Sequence, residues 1–170
     1  MQLGCDLQTL TDSLSGALGD VKFMFLTRRN ILRRQVSNLR CIYKDVSHTK
    51  NLENVNFDKV RMDSESMRDW SYDYTKRHAQ LADFLEASHA RQEAVRQFAA
   101  ARGELHLEYE DFEKNPLSGA ERIFDFLEVP RIQAKSPLLK TGDRPLSDLI
   151  ENYDEVSRSL KDTRWESMLE

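Results

Sequence analysis

The chain has 170 residues, enough for one domain with a core of its own. Its 25 basic and 29 acidic residues leave it mildly negative, which argues against a general nucleic-acid binder whose affinity rests on neutralising phosphates. No apolar run approaches the ~20 residues of a membrane span and the N-terminus lacks a signal-peptide pattern, so the expectation is a cytoplasmic protein with no membrane partner.

Residues 3–18 read as a helix with Leu3, Leu7, Leu10, Leu14 and Leu18 on one inward face, ended by Gly19-Asp20. The run that follows is apolar on both alternating faces, with Val21, Phe23 and Phe25 on one and Met24 and Leu26 on the other. That pattern predicts a strand buried on both sides, as in parallel sheets. It stops at Thr27, Arg28-Arg29-Asn30 follow, and from there Ile31, Leu32, Val36, Leu39 and Ile42/Tyr43 recur at helical spacing, with Arg33, Arg34 and Arg40 off that stripe. Two guanidinium groups therefore stand where a strand enters a helix, the place where open α/β sheets bind ligands. Arginine offers a fork of donors suited to phosphate oxygens, the first amides of the helix point the same way, and Ser37 adds a hydroxyl two turns further on. The same residues could equally form a solvated basic cap.

Residues 45–61 are polar and irregular, with an extended piece at 55–57, and carry His48. The stretch 63–102 reads as helix, either two or one long bent one. Asp63 or Ser64 caps it, Met67, Trp70, Tyr74, His78, Leu81 and Leu85 form its stripe, Ser88–Gln92 make a polar patch, and Arg102-Gly103 close it. Residues 104–109 alternate as a second strand, Leu105, Leu107 and Tyr109 against His106 and Glu108. Asn115-Pro116 then open a helix that buries Leu117, Ala120, Ile123, Phe124 and Leu127. After a Pro- and Gly-punctuated loop at 131–144, Pro145 opens a last helix with Leu146, Leu149, Ile150, Tyr153, Val156 and Leu160 inward. Cys5 and Cys41 show neither CxxC nor His/Cys ligand spacing, so they read as reduced thiols, and nothing calls for a metal.

Three of these segments carry a resemblance. FLTRRNILRRQVSNLR, with Arg29 and Ser37 in an R-x7-S spacing after a hydrophobic strand, resembles the 3′-phosphate-binding segment of sulfotransferases, most of all the bacterial branch. LHLEYEDFEKNPLSGAERIFDFLEV is similar to the family's Tyr-Glu-Asp strand end and the helix behind it, and RPLSDLIENYDEVSRSL looks like its C-terminal helix. The resemblance implies that Arg29 and Ser37 hold the 3′-phosphate of 3′-phosphoadenosine-5′-phosphosulfate, that Tyr109 contacts the adenine, and that Lys140 and Gly142, with Arg144 as a further position, belong to a loop closing over the phosphates. It also implies an α/β fold, mainly helical by residue count: an incomplete P-loop-like sulfotransferase fold in one domain, with a small parallel sheet including 21–27 and 104–109.

The part that departs from the family is the phosphosulfate-binding loop. None of Gly4, Gly16, Gly19, Gly103, Gly119 and Gly142 sits in a strand, glycine-rich loop and helix with a basic residue. The expectation is the C-terminal portion of a longer enzyme; a degenerate relative is the competing one. A complete enzyme would move a sulfonate to a hydroxyl or amine of a small-molecule or glycan acceptor and release adenosine 3′,5′-bisphosphate. Its general base is unassigned among His48, His78, Glu110 and Asp111. A non-catalytic nucleotide-binding or helical interaction protein derived from the fold is a separate reading, as is a site for another phosphorylated ligand. An unpaired sheet edge would offer a route to homo-oligomers.

Overall fold

The computed structural model describes residues 7–19, 21–44, 59–63, 66–69, 73–78, 80–133 and 144–170. Its elements in chain order are α1 (Leu7–Leu18), β1 (Met24–Thr27), α2 (Ile31–Lys44), β2 (Arg68–Asp69), β3 (Asp73–Arg77), α3 (Leu81–Arg102), β4 (Leu105–Glu108), α4 (Tyr109–Lys114), α5 (Pro116–Leu127), α6 (Leu146–Leu149) and α7 (Tyr153–Leu160), with a 3-10 turn at Glu166–Leu169. The protein is mostly helical with a small parallel sheet, an α/β arrangement. Two compact units emerge: one from residues up to Arg29 together with His89–Ala134, the other from Asn30–Ser88 together with the chain from Lys135 on.

In the first unit β1 and β4 pair in parallel, with Met24 opposite Leu105, Phe25 opposite His106, Leu26 opposite Leu107 and Thr27 opposite Glu108. Phe25 meets Phe98 of α3 edge-on at 5.8 Å and Thr27 is buried, so that face of β1 is covered. The other face is not. Met24 and Leu26 are 46% and 61% exposed, which corrects the expectation of a strand buried on both sides: apolar residues on both faces do not oblige both faces to find a partner. The leucine stripe of α1 is corrected in the same way. Leu10, Leu14 and Leu18 face solvent, while Thr11 is buried with its hydroxyl donating to the Leu7 carbonyl at 2.9 Å; Leu3 lies outside the described residues.

β4 stops one residue before Tyr109, which starts α4 instead of ending the strand. Asn115 caps α5 by accepting from the Ser118 amide at 3.2 Å, with Pro116 in the first turn. Leu117 is exposed, contrary to expectation. Gly119 is buried where a Cβ would overlap the Phe112 ring, so α4 and α5 approach at a distance that only glycine permits. Gly103 closes α3 at φ +68°, the left-handed conformation expected there.

In the second unit Ile31, Leu32, Val36 and Leu39 of α2 are buried together with Phe84, Leu85, Ile150, Val156 and Leu160. Arg40, read as off the apolar stripe, is buried too, and Ile42 is exposed. The described residues between 63 and 80 correct the helix expected there. Asp63 and Ser66 form a local turn, the Ser66 amide donating to Asp63 Oδ1 at 3.0 Å, and β2 and β3 pair antiparallel after it. From Leu81 the helix is a single one through the polar patch, where Ser88 and Gln92 are buried. The C-terminal helix is also broken. Ile150 is extended and bridges Val60 in parallel, with the Val60 amide donating to the Leu149 carbonyl and the Glu151 amide to the Val60 carbonyl, each at 2.9 Å. The inward residues of the broken helix are nevertheless those its spacing indicated.

Leu39→Ala should cost about 2–5 kcal/mol of stability in urea unfolding and Leu26→Ala no more than about 0.5 kcal/mol. Gly119→Ala should cost about 1–3 kcal/mol, because the Phe112 ring must leave its place.

Candidate functional site

Parallel pairing sends the carboxyl ends of β1 and β4 to the same side. Register then places Thr27 beside Glu108, and so sets Arg28-Arg29 next to Tyr109-Glu110-Asp111, residues 81 apart in the chain at the Arg29–Glu110 contact. This is one cluster, wholly within the first unit.

Its half-buried floor is polar. Thr27 donates its hydroxyl proton to Glu108 Oε2 at 3.1 Å, so the 2.8 Å contact between Thr27 Oγ1 and His106 Nε2 assigns the imidazole proton to Nε2. Arg96 of α3 donates through Nε to Glu108 Oε1 at 2.8 Å and lies 3.4 Å from Glu93. Burial pushes the His106 pKa below its ordinary value, Arg96 and Arg122 act in the same direction, and Glu108 opposes them. The lowered pKa favours the uncharged imidazole of His106, with Nε2 as the donor when Thr27 gives its proton to Glu108.

The rim carries the arginines. The Arg29 guanidinium is held by Asp111, and its backbone amide donates to Glu110 Oε2 at 3.0 Å. Donation to the Asp111 carboxylate favours the charged form of Arg29. Arg28 lies over the Tyr109 ring, its guanidinium carbon 4.5 Å from the centroid, with Glu110 Oε1 3.8 Å from its Nε. The Tyr109 hydroxyl donates to Glu113 at 3.1 Å and Gln92 Nε2 to the Arg28 carbonyl at 2.9 Å.

Of the residues singled out from the sequence, the structure brings together Arg28, Arg29, Tyr109, Glu110 and Asp111. Ser37 is exposed on α2, in the second unit. There the first turn of α2 is capped by Asn30, whose Oδ1 accepts from the Arg33 amide at 2.9 Å, and Arg33 donates to the carbonyls of Glu170 and Arg144 at 3.1 and 3.0 Å. Lys140, Gly142 and His48 lie outside the described residues. His78 is buried against Phe84. Thr27, Gln92, Arg96 and His106 were not foreseen as site residues. The alternation of β4 already put His106 and Glu108 on one face; what was lacking was the register that sets Thr27 against them.

Among the described residues no group of His, Cys, Asp and Glu is placed to hold a metal ion, and no helix is long and apolar enough to cross a membrane. Comparisons with protein-family models, with curated proteins and with solved structures found no match.

Two consequences of this cluster are measurable. The folded His106 holds its proton less tightly than an unfolded one, so below about pH 6.5 the unfolded chain binds more protons and stability falls with falling pH. Denaturant midpoints compared between pH 7.5 and pH 5.5 should drop, and drop less in His106→Asn. Arg96→Ala, which strips Glu108 of its strongest partner, should cost about 1–3 kcal/mol in the same assay.

Proposed function

We propose that this is a sulfotransferase-type protein that supplies the 3′-phosphate and adenine side of a site for 3′-phosphoadenosine-5′-phosphosulfate. One observation carries the reading. The two segments that resemble the family's nucleotide-binding segments sit on adjacent parallel strands, and their carboxyl ends meet, so that Arg28, Arg29 and Tyr109 share one site. Such a site offers what a nucleotide phosphate needs: guanidinium forks beside an aromatic ring, at the carboxyl edge of a parallel sheet. Arg29 would hold the 3′-phosphate after exchanging Asp111 for it, and Tyr109 would line the adenine side. Ser37, Lys140 and Gly142 enter on the sequence pattern alone.

The fold under this reading is an incomplete P-loop-like sulfotransferase fold in a cytoplasmic protein. Transfer would proceed by in-line displacement at sulfur toward an acceptor hydroxyl or amine, with positioning and charge stabilisation supplying most of the rate. This chain's part is to orient the donor; the glycine-rich grip on the phosphosulfate is not found among its glycines. One observation favours a second reading, a non-catalytic relative. Arg29 is already paired with Asp111, as in a purely structural ion pair.

Calorimetry with adenosine 3′,5′-bisphosphate distinguishes the two. The donor-site reading expects saturable binding that Arg29→Ala weakens at least about tenfold. Absent binding, or equally weak binding by both proteins, would sink it, and a sulfonate-transfer assay run alongside separates enzyme from remnant.

A further inference from the structure

The geometry points to Arg28 as a second anion-gripping residue of this site, one that takes an oxyanion on the guanidinium edge not covered by the Tyr109 ring. Its identification with a nucleotide phosphate rests on the reading above; the grip itself rests on Arg28.

Arg29 and Arg96 both have carboxylate hydrogen bonds, to Asp111 and Glu108. Arg28 has none. Its side chain is 19% exposed, against 51% for Arg29. Its Nε is sealed from solvent with no hydrogen-bond partner. Glu110 Oε1, 3.8 Å from that Nε, is beyond hydrogen-bond reach, and the other oxygen of Glu110 serves the Arg29 amide. Among the described residues Arg28 thus holds its guanidinium over an aromatic ring, with Glu110 beside it as an ion-pair partner and no acceptor within hydrogen-bond reach of its Nε. A largely buried guanidinium short of hydrogen-bond acceptors is costly, and an anion on its terminal nitrogens would offset part of that cost.

The side chain is also held in place beforehand. Gln92 pins the Arg28 carbonyl from α3, and the Tyr109 ring is tethered at its far end by the hydroxyl bond to Glu113. Contact with the ring face limits where the guanidinium can lie, and its two terminal nitrogens are a planar pair of donors. That shape fits two oxygens of a phosphate or sulfate group, and an ammonium on a flexible stem would not reproduce it. Arg29 differs: it is exposed and already donates to Asp111.

The test uses the full chain, with adenosine 3′,5′-bisphosphate and phosphate-free adenosine as probes. Arg28→Ala and Arg28→Lys should each weaken the bisphosphate at least about tenfold and leave adenosine within about twofold. A role confined to propping up the Tyr109 ring would weaken both ligands alike, and bisphosphate affinity within twofold of wild type in both variants would overturn the inference while leaving the nucleotide reading intact. If wild type does not bind the bisphosphate, the nucleotide reading fails and inorganic phosphate decides the rest. A saturable shift of the Arg28 Nε–H resonance in wild type, assigned by its loss in Arg28→Lys, then sustains the grip, and an unmoved resonance rejects it. This last measurement needs no alanine variant to fold.

Discussion

The parallel pairing of β1 with β4 is the constraint on which the site depends. Four residue pairs in register, ending with Thr27 against Glu108, carry two segments about eighty positions apart to one edge. Closing so long a loop is entropically unfavourable, although the cost grows only slowly with length. Side chains reinforce the pair at its amino end, where the Phe23 amide donates to the Glu104 carboxylate at 2.8 Å and Lys22 reaches both the Phe126 carbonyl and Glu128. A slip of one residue between the strands would put Phe25 and His106 on opposite faces and dismantle the polar floor beneath the arginines.

Charge balance at that edge separates what is fixed from what is exchangeable. The arginines are matched locally by Glu93, Glu108, Glu110 and Asp111, so the site is not a bare positive patch. The pairs are unequal, however. Arg96 and Glu108 are both largely withdrawn from water, with Thr27 on the second carboxylate oxygen, and removing either partner strands a half-buried charge. Arg29 and Asp111 are exposed, and a pair in that setting contributes little to stability. An incoming anion could therefore replace Asp111 at small cost while the Arg96–Glu108–Thr27–His106 floor stays in place. Rigid floor and yielding rim are the division that the proposed anion site would use.

The second unit is organised around a different contact. The Val60–Ile150 bridge joins distant parts of the chain, and Asn152 fastens the next step by accepting from the Met62 amide and donating to the Met62 carbonyl, both at 2.9 Å. These backbone demands outweigh helix propensity at residues 150–152 and divide what the periodicity alone would continue. Leu146, Leu149, Val156 and Leu160 remain inward on either side of the break.

Local features were legible in the amino-acid sequence because their causes are local. The Asn115–Pro116 start and the Gly103 stop rest on contacts within a few residues, and the inward stripe Ile31, Leu32, Val36 and Leu39 and the alternation of β4 show in spacing alone. Met67, Trp70, Tyr74 and His78 fit helical spacing, yet Arg68–Asp69 pairs with Asp73–Arg77, and only a strand partner, which spacing does not show, decides that; Trp70 lies outside the described residues. Tertiary structure alone decided that Met24 and Leu26 stay uncovered, that Thr27 completes a cluster with His106 and Glu108, and that Arg28 rather than Arg29 lies on the Tyr109 ring. Burial and charge pairing are properties of what stands opposite a residue, and here what stands opposite lies some eighty residues away.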